Sequence, residues 1–293
     1  MSGQIALRCP AKVNLYLRVL WRRDDGYHEL VTVMQPLGLA DVLTVAAGGD
    51  GLALACDHPD LPVGPENLVW RAAETFAQAV GRPVKAHIRL SKRIPLAAGL
   101  GGGSSDAAAT LLALNFLAGN PLDDDQLHSL ASSLGADVPF FLLGAPALAF
   151  GIGADLMPMT LPPYWYVLYN PGVPLSTRWV YENLDLNGSK GLPWHENWAP
   201  EHPETWVHND LAAVALRRLP ELNEVLAAMA RLWAITQTVT GSGPTLFGLF
   251  ASQDTALAAA KALRGGYPGW IVVTQGLTGL EDEGVGEERV WKV

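Results

Sequence analysis

The chain has 293 residues, 49% of them hydrophobic, enough for one large core or two ordinary ones. Its 20 basic and 29 acidic side chains leave a net charge of −9, which argues against nucleic acid as a partner and requires any anionic ligand to be attracted locally. Two cysteines, Cys9 and Cys56, make neither a disulfide framework nor a metal cluster, and there is no signal pattern or run of about 18 apolar residues, so a soluble cytoplasmic protein without a membrane partner is expected.

Residues 10–19 alternate: Val13, Leu15, Leu17 and Val19 face one way, Lys12, Asn14, Tyr16 and Arg18 the other. A half-buried strand with that period sets Lys12 and Asn14 side by side on a polar face, either simply solvated or chemically used. Asp24-Asp25-Gly26-Tyr27-His28 is a turn, whose Tyr27 and His28 either decorate the loop or stack on and hydrogen-bond a flat ligand. Strands are expected at Leu30–Val33, Val42–Val45 and Leu52–Cys56. Asn67 opens a helix with apolar positions Val69, Ala72, Ala73, Phe76 and Val80, ending at Gly81 before Pro83. Val84 to Leu90 alternates as a strand with His87 on its solvated side. Lys92 and Arg93 follow, either adding positive potential to the next segment or lying on the surface.

That next segment, Pro95 to Ala109, holds four glycines among the five residues Gly99 to Gly103, then Ser104, Ser105, Asp106 and an alanine run. Glycine tolerates positive φ and lets a ligand approach the backbone. Ser104 and Ser105 suit a helix N-cap, and Asp106 suits the positive end of the macrodipole. The helix runs through Leu111, Leu112, Leu114 and Phe116 to Gly119. A glycine loop feeding a helix N-terminus is an anion site, with N–H groups directed at phosphate oxygens. No Gly-Lys-Ser/Thr follows, which excludes a Walker loop, and Ser104 stands where a dinucleotide or protein-kinase glycine loop needs its third glycine. A mobile Gly/Ser linker would not run straight into a helix apolar on nearly every side.

Asp123 to Leu134 reads as a helix with an acidic first turn. Asp137 follows in Gly135-Ala136-Asp137-Val138-Pro139-Phe140, at the rim of an apolar run where a carboxylate needs a partner, and Lys12 is that partner. From about Leu161 the organisation changes. Tyr164 to Tyr169 is a strand, Thr177 caps a short helix carrying Tyr181, and residues 187–206 form an irregular insertion. Helices Asp210–Arg218 and Glu221–Leu232 precede the turn Thr240-Gly241-Ser242-Gly243. Strand Leu246–Phe250, helix Thr255–Leu263, strand Trp270–Thr274 and an acidic tail from Glu281 complete a second α+β unit.

Three stretches together resemble the GHMP kinases, the superfamily of galactose, homoserine, mevalonate and phosphomevalonate kinases. Pro10-Ala11-Lys12-Val13-Asn14-Leu15 is similar to the first motif, Gly99 to Ala109 to the ATP loop, and Thr240 through Gly248 to the third. Asp25-Gly26-Tyr27-His28, Gly135 to Phe140, and Pro171-Gly172-Val173 leading to Thr177 resemble the branch whose acceptor is cytidyl diphosphate-linked methylerythritol. The resemblance implies an α+β, two-domain GHMP kinase fold, with an N-terminal domain over residues 1–158, a ferredoxin-like domain over 159–293 and the site in the cleft between them. It implies transfer of the γ-phosphoryl of ATP, with Mg²⁺, to the 2-hydroxyl of that small-molecule acceptor, in non-mevalonate isoprenoid synthesis. Lys12 and Asp137 match the catalytic pair. Asn67 and the run Pro95, Leu96, Ala97, Ala98, Gly99, Leu100, Gly101, Gly102, Gly103, Ser104 and Ser105 match the ATP site. Asn14, Tyr27, His28, Thr177 and Tyr181 match the acceptor site, Tyr27 and Tyr181 as rings stacking on cytosine. The metal ligands stay open between Ser104 and Ser105, and a monomer or weak homodimer is expected. Two departures stand out: Leu96-Ala97-Ala98 replaces a glycine-richer start, and Tyr181 replaces a phenylalanine. A kinase for another small alcohol would not need the Tyr27–His28 turn, and a non-catalytic relative would be expected to lose Lys12 or Asp137.

Overall fold

The computed structural model describes residues 3–186 and 199–279. Two strands of unusual length open the chain, β1 (Gln4–Arg22) and β2 (His28–Ala47), paired antiparallel along their whole length. The runs at residues 30–33 and 42–45 are thus parts of one strand; in the stretch between them the pairing with β1 shifts register, and groups that leave the ladder find other partners, the Leu39 amide donating to Thr274 Oγ1 and Pro36 O accepting from the Leu277 amide. Next come β3 (Leu52–Cys56), α1 (Leu68–Ala79), β4 (Ala86–Ser91), α2 (Gly102–Leu117), α3 (Asp124–Leu134), α4 (Val138–Leu143), β5 (Ala147–Phe150) and β6 (Asp155–Pro158). The second half contributes β7 (Trp165–Asn170), α5 (Thr177–Glu182), β8 (His208–Asn209), α6 (Ala212–Arg218), α7 (Leu222–Arg231), β9 (Thr236–Val239), β10 (Leu246–Phe250), α8 (Gln253–Gly266) and β11 (Trp270–Gln275). Most of the insertion expected at 187–206, and the acidic tail, lie outside the described residues.

The first sheet runs β3-β4-β2-β1-β8, and β2 splits its far edge, pairing β5 near Val33 and β4 from Val42 onward. Helices α1 to α4 cover one face. Asn67 caps α1 by accepting from the Val69 amide, and Val69, Ala72, Ala73 and Phe76 turn inward at the expected spacing. Helix α3 begins with a reciprocal capping box between Asp123 and Gln126. Helix α2 is buried on nearly every side between α1, α4 and the sheet.

The second sheet has the antiparallel order β11-β7-β10-β9, the ferredoxin-like arrangement of a β-α-β-β-α-β unit, with α7 and α8 on one face. Period-two alternation divides its residues: Val167, Tyr169, Leu246 and Phe250 pack under those helices, while Tyr166, Leu168, Phe247 and Leu249 pack on Ala11, Val13, Leu15 and Val33 of the first sheet. The two halves therefore share a buried layer. Strand β1 is buried on both faces around Lys12, Asn14 and Tyr16, so its polar side is an interior surface rather than a solvated one. No described helix is long and apolar enough to cross a membrane.

Candidate active site

A cavity of about 880 Å³ opens where the two halves meet, lined by Lys12, Asn14 and Asp137 on one side and by Thr177, Tyr181 and Ser242 on the other. A second cavity, about 410 Å³, adjoins it, and Gly99, Gly101 and Ser104 border both. The glycine loop is the wall between two chambers. Asn67 and the whole of residues 95–104 line the smaller one, while Tyr27 and His28 line the larger. Ser105 lines neither; its hydroxyl is buried without a hydrogen-bond partner.

The pairing of β1 with β2 shifts register between Pro10 and Lys12 and again between Asn14 and Tyr16. Such irregularities re-aim side chains and free backbone groups. Here the Lys12 amide leaves the ladder and donates to Leu100 O at 2.9 Å, tying the strand to the glycine loop. Lys12 Nζ donates to Asn14 Oδ1 at 2.6 Å and stands 3.4 Å from Asp137 Oδ2. Asn14 Nδ2 donates to Thr32 Oγ1 at 2.8 Å, and Thr32 donates onward to Tyr16 O, so the Asn14 oxygen is the atom left for Lys12. The lysine side chain is 5% exposed and that of Asp137 37%, so the carboxylate is the member of the pair open to the cavity. Asp137 sits at the start of α4 without capping it, which leaves its oxygens available.

Helix α2 starts at Gly102 after Gly101, whose φ of 72° is left-handed, and no side chain caps it. The expected caps Ser104 and Ser105 lie instead inside the first turn, because a glycine in the left-handed region turns the chain directly into the helix. Gly101 is also tight: a Cβ there would stand 2.8 Å from the Phe141 ring and 3.0 Å from Lys12 Cγ. A Cβ at Gly99 would meet Thr240 O at 2.9 Å and Gly243 O at 3.0 Å, so the loop touches the third motif backbone to backbone. Ala97 has a φ of 51°, a conformation glycine adopts more readily, at one of the positions where this chain departs from a glycine-rich pattern.

Asp106 does not serve the helix dipole. It is buried against Lys92, whose Nζ lies 2.7 Å from Asp106 Oδ2 and also pairs with buried Asp41. Lys92 is therefore neither a surface residue nor a free cation. Asp41 accepts further from the amides of Arg93 and Ile94, whereas Asp106 Oδ1 has no partner. Burial, and after it the Asp41 charge, push the Asp106 carboxyl up to about 7 against the pull of Lys92. Burial works against the Lys92 ammonium, but Asp106 and Asp41 outweigh it and raise its pKa. Burial and the same two carboxylates hold the thiol of Cys9 well above its usual range, so it is an inert thiol.

In the larger cavity the His28 ring stacks on Tyr181 at 4.9 Å between centroids and 27° between planes. Burial and nearby Arg22 lower the His28 pKa, which keeps the imidazole neutral at pH 7 and able both to donate and to accept. Tyr27 is 60% exposed at the rim. Thr177 does not cap α5; Ser176 does, and the Thr177 hydroxyl is 2.8 Å from Ser242 Oγ, joining the helix to the third motif. Thr240, which opens the third motif but takes no role from the sequence alone, is a contributor: its Oγ1 accepts from the Asn14 amide at 2.9 Å. Among the described residues no three His, Cys, Asp or Glu side chains gather to hold a metal ion.

The model for the GHMP kinases N terminal domain matches residues 67–145 and that for GHMP kinases C terminal matches 195–269. The 4-diphosphocytidyl-2-C-methyl-D-erythritol kinase of Geobacter metallireducens is 40% identical over 281 residues, covering 93% of this chain and 99% of the relative. That of Syntrophus aciditrophicus is 44% identical over 268 residues, covering 90% and 95%. A crystal structure of 4-(cytidine 5'-diphospho)-2C-methyl-D-erythritol kinase is 41% identical and superposes with a TM-score of 0.77, covering 93% of this chain and 100% of that one. The chain belongs to the GHMP kinase family, on its 4-diphosphocytidyl-2-C-methyl-D-erythritol kinase branch.

Proposed function

We propose that this enzyme transfers the γ-phosphoryl of ATP to the 2-hydroxyl of 4-diphosphocytidyl-2-C-methyl-D-erythritol, giving the 2-phosphate and ADP, a step of non-mevalonate isoprenoid synthesis. The observation that carries the reading is the Lys12–Asp137 pair beside a glycine wall that separates two chambers. One chamber suits a triphosphate, with loop amides at the start of α2. The other holds a stacked imidazole and phenol suited to a flat base.

Phosphoryl transfer depends chiefly on positioning and on stabilising charge. Asp137, the exposed member of the pair, accepts the proton of the attacking hydroxyl. Lys12, fixed by Asn14, stabilises charge on the transferring group. Tyr181, Tyr27 and His28 bind the cytosine, His28 reading its polar edge, and Thr177 and Asn14 border the rest of the acceptor. Mg²⁺ commonly binds through substrate phosphates and one or two protein oxygens. Ser104, bordering both chambers, is the hydroxyl that would complete its shell. A bound ion would supply neutralisation of the triphosphate charge. The acidic balance and free cysteines support a cytoplasmic enzyme acting on a small molecule rather than on nucleic acid.

The test is a coupled ADP-release assay against the cytidyl acceptor, galactose, homoserine and mevalonate. Turnover confined to the cytidyl acceptor is expected; comparable turnover of any of the others would overturn the assignment.

A further inference from the structure

The two-residue strand β8 belongs to no motif read from the sequence, yet it touches both halves of the site. It pairs parallel with β1 at Tyr16 and Leu17, just past Asn14. Its Asn209 is buried, and the side-chain amide donates to Val239 O at 2.7 Å and to Gly241 O at 2.8 Å. Asn209 Oδ1 accepts from the Leu211 amide at 2.9 Å, which leaves the nitrogen facing the two carbonyls. Gly241 is the corner of the third motif nearest the chemistry. A Cβ there would stand 3.3 Å from Asn14 Oδ1, 3.4 Å from Gly99 O and 3.8 Å from Lys12 Nζ.

We propose that Asn209 is a positioning residue for phosphoryl transfer: its amide clasps the Val239–Gly241 corner and thereby sets the separation of the Lys12–Asn14 pair from the glycine loop. This rests on the kinase reading of Lys12 and that loop. Buried carbonyls need donors, and a primary amide is the short neutral group that supplies two N–H bonds from one atom. Thr240 Oγ1 and Ser242 Oγ anchor the residues on either side of Gly241, but Gly241 brings no side chain of its own, and Asn209 is the side chain that holds its carbonyl. Movement there reaches the glycine loop through the contacts of Gly99 with Thr240 and Gly243, and reaches Asn14 through Thr240 Oγ1. Neighbouring Asp210 provides a contrast. Its carboxylate accepts from the Val19 amide at 2.9 Å and meets His208 Nε2 at 2.6 Å, bracing β1 beyond the site without touching the corner.

Full-length Asn209→Asp, Asn209→Ser and Asp210→Asn are compared with wild type well below their melting temperatures. A misplacement of about 1 Å in such a site costs on the order of 10²-fold in rate. Both Asn209 variants should therefore lose about 10²-fold in kcat, with KM for ATP and acceptor changed by less than about threefold. Hydrogen exchange at the Asn14 and Gly243 amides should rise in the same variants. Asp210→Asn should lower Tm with kcat within about twofold, as a bracing role requires. Serine carries no new charge, so it keeps the test intact if the aspartate variant does not fold. Retained kcat in a folded Asn209 variant, or an equal loss of kcat in Asp210→Asn, would overturn the proposal. The wild type alone judges the acceptor: if it uses another alcohol or only hydrolyses ATP, that assignment fails and the same ratios are read on the reaction observed. The exchange measurement needs no acceptor, and unchanged protection at Asn14 and Gly243 would by itself refute the clasp.

Discussion

Replacing Asp106 by asparagine should stabilise the protein, and only above a certain pH. Lys92 is shared by two buried carboxylates. Asp41 also accepts from two backbone amides, whereas one Asp106 oxygen has no such partner. The folded carboxyl is raised from 3.8 to about 7, so folding takes up a proton between those values. Its favourable contribution is complete below pH 3.8 and is lost as pH rises through 7. At 1.36 kcal/mol per pH unit, that interval corresponds to about 4 kcal/mol. Asparagine keeps an oxygen for Lys92 and cannot ionise. Asp106→Asn should thus match wild type near pH 4 and exceed it by up to about 4 kcal/mol at pH 8. Urea unfolding followed by circular dichroism across pH 4 to 8 measures the difference directly. A difference that stays flat over that range, or a variant less stable at pH 8, would refute the argument, since Cys9, Lys92 and Asp41 are the titratable groups facing Asp106.

Asp137→Asn and Lys12→Met should each lower kcat by about 10²–10⁴-fold with Tm little changed; a Tm collapse with normal specific activity would make Lys12 a structural ion. Tyr181→Ala should raise the acceptor KM about 5- to 150-fold, the equivalent of 1–3 kcal/mol of base stacking, while Tyr181→Phe stays close to wild type. If both leave KM unmoved, the cytidine assignment falls. Gly101→Ala adds a left-handed alanine and a collision with Phe141 and Lys12, and should cost about 2–4 kcal/mol in a denaturant titration.

The parts of this molecule legible from sequence are those encoded within a few residues. The glycine loop, the Asn67 cap, the alternation in β10 and the Asp123 capping box each declare themselves locally. The Lys12–Asp137 contact followed from placing an acid at the edge of an apolar run and asking what would partner it. The errors arise where distant chain decides. Lys92 reads equally as a surface cation or as positive potential for the glycine loop; it is buried beside that loop, and nothing adjacent to it announces Asp41 and Asp106, which close on it. Ser104 and Ser105 have the chemistry of caps, but Gly101 turns the backbone first. The union of the two runs in β2 depends on partners along three different strands, which no window of residues can contain.

The joining of β1 to β8 and to the third motif bears on how the molecule assembles. The Val19–Asp210 bond links residues 191 apart and the Asn14–Thr240 bond residues 226 apart. Loops that long must close before these contacts return any energy, and topologies of this kind fold slowly. On the ribosome, the strand bearing Lys12 emerges long before Asp210 and Thr240 and must wait for them before its final neighbours exist. An N-terminal fragment ending before residue 160 would leave Ala11, Val13 and Leu15 without the cover of Tyr166 and Phe247. Nascent chains stalled there should be bound by chaperones that hold exposed apolar strands, and should be released only after the second sheet, β11 included, has docked.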